Sequence, residues 1–229
     1  MFFRKAPLPK NQDGGPATAV FAFSLERERE TATRLTDPAA TDLLQARLRL
    51  IDAVQTYRLD GIQTDALLQA CLDELELAPR NRSSLNVMSV GMKRLSELAA
   101  DGHDKAANLV RAELGHPRAE RRVTAYEHAF ANWLDGAQRI SACCEALADP
   151  SGDVRQIGAT QAVRDGFHEL APLLDQAATG RIGERAKADI KHSAFMLRER
   201  HRLGLPKGAK LPDESWKRYD ELRKKKSEF

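Results

Sequence analysis

The sequence predicts an all-α protein built of antiparallel helical hairpins, and three observations carry that prediction. The 229 residues are 42% hydrophobic but only 6% aromatic, with alanine, leucine, arginine and glutamate common. Those residues lose little on entering a helix, and the composition gives little support to strands. Apolar residues recur at three- and four-residue intervals in run after run, the spacing of a helix with one buried face. Short starts and stops such as Asp37-Pro38, Asp101-Gly102 and Asp149-Pro150 separate the runs. The chain is long enough to bury a sizeable core. It divides into an N-terminal arm and linker over 1–35, a helical-repeat domain over 36–204, and a basic tail with a short helix over 205–229.

Residues 1–17 hold Pro7, Pro9, Gly14, Gly15 and Pro16 among polar residues and read as a loose arm. A short apolar patch, Val20, Phe21 and Phe23, follows it, and Glu26–Glu30 reads as a solvated linker. The first helix starts at Thr36-Asp37-Pro38 and buries Leu44, Leu48, Ile51 and Val54, with Gly61 ending it. The second starts at Thr64 or Asp65, buries Leu68, Cys71, Leu72 and Leu75, and stops at Pro79. The third starts at Ser83 or Ser84 and carries Leu85, Met88, Met92, Leu95 and Leu98. Gly91 within it costs up to about 1 kcal/mol unless a neighbouring helix comes close. A fourth helix spans 104–114, and a fifth starts at Pro117 with Val123, Tyr126, Phe130, Trp133 and Leu134 as a core stripe. Residues 137–148 supply Ile140, Cys143, Cys144 and Leu147. Helices over 170–178 and 181–203 make a further hairpin turning at Thr179-Gly180. After the break at Leu205–Gly208, Asp213 caps a last helix with Trp216, Tyr219 and Leu222 on one side.

The stretch Leu147–Gly166 organises this pattern. It reads as a helix end, a tight turn at Asp149-Pro150, and a second helix whose stripe is Val154, Ile157, Gln161, Val163 and Phe167. Asp149 is expected to cap the incoming helix, with Pro150 in its first turn. Thirty-three residues upstream, Leu114, His116, Pro117, Glu120 and Arg122 align with Leu147, Asp149, Pro150, Asp153 and Arg155. A fixed period in the thirties is the mark of stacked helical hairpins. The turn Leu147–Arg155, with its leucine, small residue, Asp-Pro, acid, apolar residue and arginine, resembles the inner turn of a HEAT repeat. The resemblance covers about 104–166, with 36–203 following in pattern. It implies hairpins stacked as a short right-handed solenoid, and a surface that binds another macromolecule.

Net charge is +3, too small to argue for a polyanion or membrane partner. Its distribution is uneven: residues 181–229 carry fifteen Lys/Arg against eight Asp/Glu, a net +7, which leaves −4 for residues 1–180. Arg122, Arg155, Arg181, Arg185, Lys191, Arg198 and Arg202, with Trp216 and Tyr219 interleaved, are the candidate partner-binding residues. Cys71, Cys143 and Cys144 form no CxxC pair and read as small buried residues of a reducing compartment. No secretory leader or run of about 18 apolar residues is present, so a cytoplasmic protein without a membrane partner is expected. His116, Glu120, Glu127 and His128 lack the spacing of a metal site, and His192 and Glu199 read as a surface pattern. No nucleotide loop, dinucleotide fingerprint or nucleophile elbow occurs, so no catalytic residue, cofactor or metal is assigned.

The leading expectation is a non-catalytic protein-binding module, such as a bacterial-type immunity or antitoxin-like inhibitor or an adaptor. The alternative is a DNA- or RNA-binding protein using the basic C-terminal side. DNA glycosylases that act on alkylated bases are similar in outline, but they need aromatic residues and an acid around the base. Here Trp133 and Trp216 stand 83 residues apart.

Overall fold

The computed structural model describes residues 38–60, 64–77, 89–179 and 181–227; among them the regular elements are ten α-helices and one 3-10 turn, with no strand. The expected N-terminal arm, the Val20–Phe23 patch, the Glu26–Glu30 linker, the stops at Gly61 and Pro79, the start at Ser83 or Ser84 and Gly180 lie outside the described residues. The helices fall into two compact units divided after Pro79, a division inside the span read as one repeat domain.

The first unit pairs α1 (Pro38–Asp60) with α2 (Thr64–Leu77). Its fully buried positions on α1 are Ala46 and Leu50. The stripe read from sequence, Leu44, Leu48, Ile51 and Val54, is only half-buried and flanks them. On α2 the buried face is Leu67, Leu68, Ala70, Cys71 and Leu75, with Leu72 half-buried. Glu74 is fully buried beside them and accepts a hydrogen bond from Arg47 Nε at 3.2 Å, which compensates its removal from water.

The second unit begins with α3 (Val90–Ala100), α4 (Asp104–Leu114) and α5 (Ala119–Asn132). It continues with α6 (Gly136–Leu147), α7 (Gly152–Asp165), the 3-10 turn His168–Leu170 and α8 (Ala171–Ala177), then α9 (Glu184–Arg202) and α10 (Asp213–Ser227). The helix carrying Met92, Leu95 and Leu98 begins at Val90: Ser89, with an extended backbone, is its N-cap, and its side chain accepts from the Met92 amide at 3.0 Å. Gly91, just inside that helix, is buried. Asp101 and the left-handed Gly102 end α3 as expected.

Three hairpins follow: α4 with α5, α6 with α7, and α8 with α9. Their second helices adjoin in sequence, α5 against α7 and α7 against α9, and α3 packs on both α4 and α5. The 33-residue register holds in the backbone. Helices α4 and α6 end at Leu114 and Leu147, and α5 and α7 are both 14 residues long, starting at Ala119 and Gly152. Tyr126, Phe130, Cys143, Leu147, Val154, Leu174, Ile190 and Leu197 belong to the core between the helices. Gly158 lets α7 approach α6: a Cβ there would stand 2.9 Å from the Ala146 Cβ and 3.3 Å from the Cys143 carbonyl oxygen.

The turn between α6 and α7 differs from expectation. Helix α7 starts at Gly152 after Ser151, so Pro150 precedes the first turn, and Ser151 makes no side-chain cap. Asp149 holds the turn instead, with Oδ1 accepting from the Ser151 amide at 2.7 Å. A true capping box stands one turn earlier in the fold, where Asp135 and Gln138 satisfy each other's backbone amides at the start of α6. Among the described residues no helix is long and apolar enough to cross a membrane.

Candidate partner-binding surface

Two arginines 33 residues apart tie successive turns together. Arg122, in the first turn of α5, donates from Nη1 to the carbonyls of His116 and Pro117 at 2.7 and 3.0 Å. Its Nε and Nη2 make a bidentate pair with Asp149 of the next turn, both at 2.7 Å. That pair, with both carboxylate oxygens engaged, holds the Arg122 guanidinium above its ordinary pKa. Arg155, 33 residues on, donates to the Asp149 carbonyl and to the Ala177 carbonyl at 2.9 Å. Each arginine thus fastens its own turn to the following hairpin. Arg122 is buried and Arg155 half-buried, so these two of the nine expected partner-binding residues face the turns of the protein itself.

Part of the basic C-terminal side is also bonded internally. Arg198 is exposed but pairs with Asp175 and donates to the Ala171 carbonyl. Glu199, read from sequence as a surface residue, is only 3% exposed and is the hub of the region. Its carboxylate accepts from Arg202 at 2.6 and 3.0 Å, from Ser215 at 3.0 Å and from Arg218 at 3.1 Å. The Arg202 hydrogen bond is the largest of the influences that hold the Glu199 carboxyl below the usual carboxylate range. Arg200 donates to the carbonyls of Ala209 and Val163.

Helix α10 is docked on α9 by the same contacts. Trp216 stacks on His192 with ring centroids 5.3 Å apart, and Tyr219 meets His192 edge-on at 5.3 Å and Phe195 at 4.8 Å. Leu211 and Ser215 are buried beneath the join. Trp216 and Tyr219 are therefore half-buried anchors, and the Pro/Gly break at 205–208 does not isolate the tail. His192 is part of this cluster and not a plain surface residue.

One stripe of the second helices is partly exposed. Glu120 and Glu127 lie two turns apart on α5, both half-buried, and Asp153 and Thr160 occupy the same positions of α7, both exposed. The corresponding positions of α9 are Arg185, exposed, and His192, covered by Trp216. Arg181 and Lys191 are exposed beside Arg185. The stripe thus runs from acidic on α5 to basic on α9 and is bounded by α10. Burial pushes the Glu127 carboxyl up to about 7, while burial and then Lys93 push the neighbouring His128 imidazole down to about 4. Sequence reasoning singled out Glu127 and His128 only as poor metal ligands and missed Asp175 and Glu199 as partners of the basic helix. An acid three residues before Arg202 was the available signal for Glu199.

Cys143 is fully buried, and burial, followed by Asp165, pushes its thiol up to about 12, so it behaves as a small core residue. Among the described residues no group of three or more His, Cys, Asp or Glu side chains is placed to hold a metal ion. Comparison of the chain with protein-family models, with curated proteins and with solved structures finds no match.

Proposed function

We propose that this chain is a non-catalytic helical-repeat module that binds another protein, an inhibitor or adaptor of the immunity or antitoxin kind. In this reading the hairpins of the second unit stack as a short right-handed solenoid of the HEAT type. The open stripe of the second helices is its recognition face.

One observation favours a protein over a nucleic acid. Three of the cations expected to track phosphates are engaged at home, Arg122 by Asp149, Arg198 by Asp175 and Arg202 by Glu199, and so is Arg218. What the stripe offers is mixed in sign, with Glu120 and Asp153 at one end and Arg185 and Lys191 at the other. A polyphosphate would meet repulsion along half of that stripe, whereas a folded protein can match both signs.

The experiment is a pull-down from the native host with the full chain, in nuclease-treated and untreated lysate, washed at low and moderate salt. A single protein retained in near-equal amount under every condition is expected, and it is lost when Asp153→Arg and Arg185→Glu invert the two ends of the stripe. Retention of nucleic acid that disappears with nuclease or salt would overturn the reading.

A further inference from the structure

A cleft of about 280 Å³ opens where the end of α7 and the 3-10 turn meet the end of α9 and the loop after it. Four nitrogen-bearing side chains converge on it: His168, Arg200, His201 and Lys207. Its one lining acid, Asp165, is already engaged. Both its oxygens accept from Arg139, at 3.1 and 3.2 Å, and Oδ2 also accepts from Gln161 at 2.7 Å. The cleft therefore carries the fixed charges of Arg200 and Lys207 without a free carboxylate in its lining. Glu169, outside the lining, reaches only Nδ1 of His168, at 3.6 Å.

Two helix C-termini meet here, and open carbonyl ends would repel an anion. They are closed. The Val163 carbonyl of α7 accepts from Arg200 Nη1 at 3.2 Å, and Ala162 accepts from the amides of Gly166 and Phe167. At the end of α9, the carbonyls of Glu199, Arg200 and His201 accept from the amides of Leu203, Leu205 and Gly204. The imidazoles of His168 and His201 stack with centroids 4.0 Å apart, and both residues line the cleft. Arg200 spends one hydrogen on each of two carbonyls and keeps donors of its five to spare.

We propose that this cleft binds a phosphate monoester. A dianion balances Arg200 and Lys207, whereas a monocarboxylate would leave one charge uncompensated. The volume exceeds that of a phosphate group, and Leu197 and Leu205 supply apolar wall for the ester substituent. The site is separate from the open stripe of α5 and α7 and does not depend on the nature of the protein partner.

The test is a titration of the ¹⁵N-labelled full chain with phenyl phosphate, followed through the Gly166 and Gly204 amides. Saturable shifts are expected, together with binding of acetate at least about tenfold weaker. Lys207→Ala should weaken phenyl phosphate about tenfold, while Lys210→Ala, also exposed but outside the cleft lining, should leave it unchanged. Vesicles of phosphatidylcholine with phosphatidic acid form a parallel arm. Saturation by the soluble ester marks a free ligand, and binding to vesicles alone marks a lipid headgroup. Absence of binding in both arms overturns the proposal. So does an equal effect of the two lysine variants with unchanged circular dichroism, or acetate binding as tightly as the ester.

Discussion

Replacing Asp149 by alanine tests whether the turn between α6 and α7 is held by a cap or by an ion pair, because the two differ several-fold in magnitude. A lost helix cap costs about 1 kcal/mol. The structure gives Asp149 a heavier role. Both its oxygens take the Arg122 guanidinium at 2.7 Å, and the two side chains are only 9% and 10% exposed. Removing one partner of a buried pair costs about 3–5 kcal/mol, since the other charge stays in a poorly solvated place. Arg122 would keep its bonds to the His116 and Pro117 carbonyls, which puts the loss near the lower end. The Ser151 amide would also lose its acceptor, adding about 1 kcal/mol. The expected total is about 3–4 kcal/mol, or roughly 10 °C in melting temperature for a unit of this size.

Both tryptophans, Trp133 and Trp216, lie in the second unit, so urea unfolding followed by tryptophan fluorescence reports on that unit directly. Arg122→Met should also destabilise, and the double variant Arg122→Met/Asp149→Ala should lose clearly less than the sum of the singles. A cost of about 1 kcal/mol or less for Asp149→Ala, additive with Arg122→Met, would refute the ion-pair account.

Three further perturbations follow from the packing and the buried charges. Gly158→Ala should be neutral to about 2 kcal/mol destabilising, since overpacking against Ala146 costs roughly 1–3 kcal/mol and helix propensity returns about 1. Ala146→Gly in the same chain should recover part of the loss; a gain in stability from Gly158→Ala alone would contradict the close approach. Glu127 and His128 should cancel in wild type. The folded chain takes up a proton at Glu127 as pH falls from about 7 towards 4.5, while the unfolded chain takes one up at His128 between 6.5 and about 4. Acidification through this window should therefore lower the stability of Glu127→Gln and raise that of His128→Gln in pH-dependent urea titrations; parallel profiles would rule the assignment out. Glu199→Gln should loosen α10, with a red-shifted Trp216 emission and faster proteolysis over 203–212. The depressed Glu199 carboxyl contributes its stabilisation above the unfolded carboxylate range and loses it as pH falls through its folded value, so wild type should shed α10 in acid. An emission spectrum that stays the same in Glu199→Gln and at low pH would remove the hub.

The helices were legible because their boundaries are chemical. Asp101-Gly102 stops α3, and the 33-residue echo of Leu114–Arg122 in Leu147–Arg155 places two equal helices in equal register. Position within a boundary was less legible. Asp149 and Pro150 carry the composition of a helix start, yet Asp149 has a stronger partner in Arg122, 27 residues away, than any amide of its own helix could provide. A local rule for caps does not see a distant guanidinium. The same holds for α1, where Ala46 and Leu50 are buried and Leu44 and Ile51 only flank them. A helix pair buries only the line along which it touches, and apolar spacing alone does not separate that line from its flanks.

Charge was the least legible property, and the reason is physical. A sequence counts arginines but does not show which carboxylates reach them. On α9 the cations looked free because Asp175 and the carbonyls of Ala171, Val163 and Ala209 are brought to them only by the fold. Among the described residues, part of the basic excess of residues 181–229 resolves into an ion-pair hub that fastens α10 to α9 and the cleft at Arg200 and Lys207, beside exposed cations at Arg181, Arg185, Lys191, Lys210 and Lys217. The aromatic residues follow the same logic. Trp216 and Tyr219, attractive as base-stacking groups in a basic tail, already stack on His192 and Phe195. A nucleic acid could use them only by displacing α10, which would also expose Leu211 and strip Glu199 of Ser215 and Arg218. That coupling makes the tail part of the architecture and leaves the stripe of α5, α7 and α9, acidic at one end and basic at the other, as the surface with exposed side chains of both signs.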